Sequence, residues 1–240
     1  GLGDVYKRQS SVSGWRRADH GLLTPRSLRA IVCSMALFDW MAEATGPVLN
    51  GQGVLLRPPR PADYVAWASL REESRDYLQP WEPAWAEDDL TRAAYRRRLG
   101  VYAREMEQGT AWPLFVFDQA DDALLGAITL SNIRRGVAET GTLGYWIGRP
   151  YAGQGVGTAA VRAMLGHAFS ALGLHRVEAA CVPTNHASRR VLEKAGFRQE
   201  GLARAYLKIN GRWADHLLFG VLRDEFAVGV APSVRVSDPS

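Results

Sequence analysis

The feature that most constrains this chain is a change of period near residue 155. Leu143, Tyr145 and Ile147 alternate with Thr142, Gly144 and Trp146, the two-residue period of a strand packed on both faces. From Thr158 onward Val161, Met164, Leu165, Ala168 and Leu172 fall at helical spacing instead, and Gly173 stands where a helix would end. Between the two patterns lies Gly153-Gln154-Gly155-Val156-Gly157-Thr158. Alternate glycines between a strand and a helix N-terminus leave unpaired backbone N–H groups at the positive end of the helix dipole, which favours an anion. Glycine there also lets a bulky phosphate approach the main chain. The block as a whole, residues 143–197, reads strand, glycine loop, helix, strand, helix.

A flexible turn accounts for the three glycines equally well. Two nucleotide-binding folds fit less well. A dinucleotide fold needs G-x-G-x-x-G and an acidic residue about 20 positions on. Glu178 falls near that offset, but the third glycine is one residue early and no strand–helix alternation follows Phe197. A P-loop ends in Gly-Lys-Ser/Thr, which this loop lacks.

These residues resemble the GNAT superfamily of acetyl-CoA-dependent N-acetyltransferases, whose pyrophosphate loop reads Arg/Gln-x-x-Gly-x-Gly/Ala at a helix start. Ala152-Gly153-Gln154-Gly155-Val156-Gly157 matches that form except at its first position, Ala152; by resemblance, backbone amides would still carry the phosphate contact. Four further segments look like the RimJ/RimL branch, which acetylates protein N-terminal amines, notably on ribosomal proteins. They are Leu174-His175-Arg176-Val177-Glu178, the run from Asn185-His186-Ala187-Ser188 to Gly196-Phe197, Glu200-Gly201, and Asn210-Gly211-Arg212-Trp213-Ala214-Asp215-His216. The resemblance implies an α/β fold of the GNAT type: a strongly bent mixed sheet, a V-shaped splay between two parallel central strands at 143–147 and 176–182, and helices on both faces. The pantetheine arm of acetyl-CoA would lie in the splay, with its thioester near Tyr145, Trp146 and Ile147 and the acceptor amine arriving from the opposite side.

Aminolysis of a thioester requires a neutral amine, a stabilised oxyanion and a proton or hydrogen bond for the departing thiolate. By resemblance the oxyanion falls to backbone N–H groups of Tyr145 to Ile147. The family's tyrosine seven residues after the asparagine is Leu192 here, whereas the RimJ/RimL branch places a serine three residues after it, at Ser188, whose hydroxyl can donate to sulfur. Asn185 would contact CoA or order a water. Asn185 is also a good helix N-cap, and Ser188 an ordinary first-turn residue. Relatives that acetylate ribosomal N-termini often carry a glutamate where this chain has Ala180, which leaves Glu178, Glu82 and Asp215 as candidate bases. An α-amino group ordinarily titrates about two to three units below lysine, so it needs little help at neutral pH. Trp81, Glu82, Trp85, Tyr206 and Trp213 lie in segments that flank the acceptor side in relatives.

The remaining sequence bounds this reading. The net charge of +4 is spread evenly, which gives no argument for nucleic acid. Two cysteines, Cys33 and Cys181, make no disulfide framework and suit a reducing, cytoplasmic setting. The five histidines show no metal-ligand spacing, so no metal is expected. No stretch has the length of a membrane span. Residues 1–50 read as a non-core extension, partly disordered or spurious, with initiation at Met35 or Met41. A secretory reading of the apolar run at 31–38 is disfavoured by Cys33, Ser34 and Asp39. The acetyltransferase domain is expected at 53–226 and a disordered tail at 228–240. Within the domain we expect a strand at 53–58, a helix from Pro61 to about Tyr77, an interruption at Pro80 and Pro83, and a helix at 87–107. Strands at 112–118, 124–133 and 140–147 follow, and a final hairpin turns across Asn210-Gly211. Two other functions stay open: acetylation of a small amine such as an antibiotic or polyamine, which calls for a deep acidic pocket, and CoA binding without turnover. The sequence does not separate a monomer from a homodimer.

Overall fold

The strand period at 140–147 becomes the middle of one sheet. The computed structural model describes residues 46–229, so Cys33, Met35, Met41, the run at 31–38 and residues 230–240 lie outside the described part. The strands are β1 (Leu49–Asn50), β2 (Val54–Arg57), β3 (Trp112–Asp118), β4 (Leu124–Arg134), β5 (Thr140–Ile147), β6 (Arg176–Cys181), β7 (Arg198–Ile209) and β8 (Arg212–Leu222). The helices are α1 (Tyr64–Glu73), α2 (Arg75–Leu78), α3 (Arg92–Glu107), α4 (Val156–Ser170), α5 (His186–Ala195) and α6 (Arg223–Gly229). The sheet order is β1-β2-β3-β4-β5-β6-β8-β7, and β5–β6 is its one parallel pair.

Alternation along the strands feeds two cores. Leu114 and Val116 of β3 face α4, which buries Val161, Met164, Leu165 and Ala168 against them, and Leu192 of α5 closes the same cluster. Phe115 and Phe117 of the same strand face the other way, toward Trp67 and Leu70 of α1 and Tyr95 of α3. A large apolar side chain buried as completely as Met164 or Leu165 contributes about 1.5–3 kcal/mol, so the α4 layer is held firmly.

Several boundaries differ from the sequence reading for identifiable reasons. The sheet begins at Leu49, which pairs with Leu56, ahead of the expected strand. The first helix does not run unbroken to Tyr77. It stops at fully buried Ser74, whose Oγ accepts from the Arg149 N–H at 2.9 Å, and the chain resumes as α2. The acidic residues expected to open the next helix precede it. Thr91 caps α3 through Oγ1 and the Ala94 N–H, while Asp88 and Asp89 pair with Arg97 and Arg98. At the hairpin tip Asn210 and Gly211 both have positive φ, 42° and 79°, as a type I′ turn requires. Beyond β8 the backbone turns into α6, where the sequence reading names no element.

The arrangement that positions the site is where β5 and β6 part. Their pairing runs only from Thr140↔Arg176 to Leu143↔Ala179. Past that point β5 is held by β4 alone, as far as Gly126↔Ile147, and β6 by β8 alone, as far as Cys181↔Leu217.

Candidate active site

Parting of the strands frees main-chain groups. Gly148 donates to Leu125 of the β4 side, so in this antiparallel ladder the main chain of Trp146 and Gly144 turns toward β4. Tyr145 and Ile147 then turn their N–H groups into the opening, narrowing the expected donors from three residues to two. Side chains alternate as well. Tyr145 points at α5, while Trp146 packs on the opposite face with the Trp67 and Tyr95 cluster.

A cavity of about 290 Å³ fills the opening, with Tyr145, Ile147, Gly155, Thr158, Asn185 and Ser188 among its lining residues. Gly153 and Gly155 have φ of +77° and +88°, and a Cβ on either would meet nothing within 4 Å, so space stands open above the main chain. Gly155 is the N-cap of α4 and offers no side chain to its first turn. The N–H groups of Val156, Gly157 and Thr158 therefore lack intrahelical partners and suit phosphate oxygens. Gly157 differs from Gly153 and Gly155: a Cβ there would lie 3.4 Å from Val191 of α5, an ordinary van der Waals contact. Gln154 turns its amide back to the Pro150 carbonyl at 2.8 Å, and neither it nor the Val156 side chain borders the cavity.

Helix α5 supplies the facing wall. Asn185 Oδ1 accepts from the Ser188 N–H at 3.0 Å, which is the N-cap role. The cap fixes Ser188, whose Oγ lies 2.9 Å from the Tyr145 hydroxyl. Burial holds the Tyr145 phenol well above its usual range, so it stays protonated despite its bond to Ser188. The Tyr145 proton has two acceptors on Ser188, its Oγ and its carbonyl at 3.2 Å; given to Oγ, it leaves the serine's own hydrogen for Cys181 or for a group in the cavity. Cys181 also lines the cavity, and burial pushes its thiol up to about 11 against the lowering influence of a Ser188 hydrogen bond. Arg190 and Lys194, one helical turn apart, border the same cavity. Leu192 is fully buried in the main core and touches none of this.

The opposite end is built by long-range contacts. Glu82 receives both arms of the Arg71 guanidinium at 2.8 Å and the Trp85 indole N–H at 2.8 Å. Burial raises its carboxyl, but the Arg71 bonds and charge outweigh that and hold it below the usual range. Glu82 borders the cavity as an anion already neutralised by its partners. Arg71 in turn lies over the rings of Trp85 and Trp146 at 4.0 and 4.9 Å. Trp81 and His216 border the cavity too, and Tyr206 meets the His216 ring edge-on at 5.7 Å. An adjoining groove is walled by Pro80, Val182, Ile209, Asn210, Arg212 and Ala214.

Besides Gln154 and Val156, five candidates do not line the cavity: Tyr206 and Trp85, which stand behind His216 and Glu82, and Glu178, Asp215 and Trp213. Glu178 sits inside the paired part of β5–β6, opposite Thr142, in ion pairs with Arg176 and Arg134. Asp215 Oδ1 accepts from the Ala205 N–H at 2.8 Å, pinning an irregularity of β7 where Ala205 has φ +46°. Trp213 lies 57 % exposed outside the lining. Sequence reasoning missed His216, Arg190 and Lys194. The first shares a face of its strand with Ala214, one residue on from Asp215, and the other two follow Ser188 at helical spacing. Among the described residues no group of three His, Cys, Asp or Glu is placed to hold a metal, and no helix is long and apolar enough to cross a membrane.

Known proteins share both the sequence and the fold. The family described as an acetyltransferase (GNAT) domain matches residues 54–198. The chain is 36 % identical over 178 residues to the probable N-acetyltransferase YjcK of Bacillus subtilis, covering 74 % of this chain and 98 % of that protein. It is 33 % identical over 170 residues to the ribosomal protein uS5-alanine N-acetyltransferase of Escherichia coli, covering 71 % and 84 %. Mycobacterium smegmatis RimJ, solved in complex with CoA-disulfide, superposes with a TM-score of 0.69 at 31 % identity over 76 % of this chain and 93 % of that one. A parallel strand pair that parts over a glycine-capped helix thus comes with the sequence of one family: the chain belongs to the GNAT acetyltransferases and is an N-acetyltransferase.

Proposed function

We propose that the protein transfers the acetyl group of acetyl-CoA to the N-terminal α-amino group of a protein, of the ribosomal-protein type, in the cytoplasm. The observation that carries this reading is the chemistry of the acceptor side. Its one lining carboxylate among the described residues, Glu82, is spent on Arg71 and Trp85, so the cavity offers no acidic pocket to a small polycation. The adjoining groove between Pro80 and Ala214 leaves room for a chain that follows its own N-terminus. The uS5-alanine and RimJ relatives support the same acceptor class.

The residues then divide the work. The N–H groups at 156–158 and the open main chain at Gly153 and Gly155 take the pyrophosphate, with Arg190 and Lys194 as cations at the border. The free N–H groups of Tyr145 and Ile147 lie along the splay, where they can pair with the pantetheine and stabilise the oxyanion. Ser188, oriented by Asn185 and Tyr145, donates to the departing sulfur. An α-amino group, which ordinarily titrates at about 7.7–8.0, supplies a usable neutral fraction near pH 7. Release of CoA thiol from acetyl-CoA tests the reading. Peptides with free N-terminal Ala, Ser or Thr are expected to support release, and N-blocked lysine peptides and polyamines are not. The reverse preference would move the function to a small amine.

A further inference from the structure

His216 occupies a position that no other titratable side chain of the cavity shares. It lies on β8 one residue beyond the end of the β6–β8 pairing, at the mouth of the splay. Its ring is 2 % exposed and borders the cavity. Nδ1 is 2.9 Å from the Ala214 carbonyl oxygen, which can only accept, so Nδ1 carries the hydrogen in the neutral ring. Nε2 is left with its lone pair. The edge-on contact with Tyr206 fixes the ring plane. Ala214, which holds the ring, also walls the adjoining groove, and Val182 borders both the groove and the cavity. The imidazole therefore stands where an amine entering along the groove reaches the splay.

Resting on the acetyl-transfer reading above, we infer that His216 Nε2 is the general base that takes the proton of the acceptor amine. Attack of the amine nitrogen on the thioester carbonyl forms the C–N bond. The nitrogen loses one proton to Nε2, the C–S bond breaks, and sulfur leaves with the Ser188 hydroxyl proton, which solvent then restores to the serine. One hydrogen thus passes in net from nitrogen to sulfur, and His216 returns its proton to solvent for the next cycle. The carboxylates proposed from sequence do not compete for this role: Glu82 is triply bonded, Glu178 is ion-paired away from the cavity, and Asp215 pins the β7 irregularity.

Burial lowers the His216 pKa from the ordinary histidine value, against raising influences from the Ala214 bond and the Asp215 charge, so the ring is neutral at pH 7. The other charged or titratable groups that share the cavity or touch the ring are Tyr206 on β7, Tyr145 on β5, Tyr151 in the turn after β5, Cys181 on β6, Arg190 and Lys194 on α5, Tyr77 on α2 and Glu82 in the loop after it. Of these, Glu82 is held below the carboxylate range, Cys181 stands near 11 and Tyr145 higher. The acceptor amine gives its own limb at about 7.7–8.0, so the separate acidic limb in kcat below about 6.5 is the one assigned to His216.

The test measures thiol release by the full chain at saturating acetyl-CoA over pH 5.5–9, with the peptide and small-amine panel, for wild type and two variants. His216→Asn keeps a polar atom near the Ala214 carbonyl and removes Nε2. It is expected to lower kcat by about 10²–10⁴-fold, to erase the limb below about 6.5 while the amine's own limb stays, and to leave the acetyl-CoA Kd unchanged. His216→Ala is expected to regain rate with added imidazole, which a purely structural role would not allow. Wild-type kcat and the wild-type limb in His216→Asn, or no imidazole rescue of His216→Ala with acetyl-CoA binding intact, would overturn the base and leave acetyl transfer standing. Turnover by wild type with small amines alone would overturn the N-terminal acceptor, and the two variants would still decide the base. No release by wild type with any amine, despite acetyl-CoA binding, would overturn both.

Discussion

The wall we assign to the cofactor and the wall we assign to the acceptor are made in opposite ways. The first comes from one continuous run, β5 through α5, and works with backbone groups: N–H donors in the splay, the open main chain at Gly153 and Gly155, and the Asn185 cap that sets Ser188. The second is assembled from far-separated segments and works with side chains: Arg71 from α1, Glu82 and Trp85 from the loop after α2, and His216 from β8. Backbone geometry needs particular residue types, glycine or a capping side chain, at fixed positions. Side-chain assembly needs only that the fold bring partners together.

Breaking the assembled wall is expected to have the largest effect. Arg71→Met leaves Glu82 buried with no cation, and loss of one member of a buried pair costs about 3–5 kcal/mol. Urea unfolding should show that loss, and a second substitution, Glu82→Leu, should recover most of it by removing the stranded charge. The pH dependence has a definite sign. Because the folded Glu82 carboxyl lies below its unfolded value of about 4.3, the pair's contribution is complete above that pH and fades as pH falls below it. An Arg71→Met protein as stable as wild type would show that the pair does not hold this wall.

The continuous wall is sharpened by comparing its glycines. Gly155 has φ +88°, and forcing a side-chain residue into that region costs about 1–2 kcal/mol even though the space beside it is empty. Gly155→Val also covers the N–H groups at the helix start. Calorimetry is expected to find acetyl-CoA affinity weakened on the order of 100-fold, about 2.7 kcal/mol. Gly157→Ala meets Val191 at 3.4 Å with no positive φ, so its loss should be clearly smaller. Equal losses would mean that the loop acts only as a spacer.

This difference explains how far the sequence can be read. The change of period at 143–172, the three glycines, the Asn185 cap and the Asn210-Gly211 turn each carry a local signature, and the sheet order and the parting of β5 from β6 agree with the fold they imply. The acceptor side carries no such signature. Glu82 is visible as a carboxylate, but nothing near it in sequence announces that Arg71 neutralises it, since the partners are brought together by the turn after Ser74. His216 hides beside Asp215 because a strand alternates faces, and which of the two turns inward depends on the β6–β8 register. The break at Ser74 is hidden for the same reason: its partner, the Arg149 N–H, lies on a distant loop.

A smaller effect is expected where the two walls meet. Ser188→Ala removes one hydrogen bond to a sulfur that develops negative charge, worth about 1.5 kcal/mol, or roughly tenfold in kcat. Turnover at saturating acetyl-CoA measures it. Unchanged kcat would remove Ser188 from the chemistry and leave it as a first-turn residue bonded to Tyr145.

The smallest effects belong to the carboxylates outside the cavity. Glu178→Gln loosens part-exposed ion pairs with Arg176 and Arg134, contacts worth about 0–1 kcal/mol, and should leave kcat within about a factor of two. Asp215→Asn is the more informative of the two. Asparagine retains an oxygen for the Ala205 N–H, so the β7 irregularity should survive. The substitution removes a negative charge that raises the His216 pKa. The limb of kcat below about 6.5 should therefore move to lower pH while the plateau stays, because the neutral ring that accepts the proton is then favoured over a wider range. A fall in the plateau would return Asp215 to the chemistry, and a limb moving upward would mean that it does not come from His216.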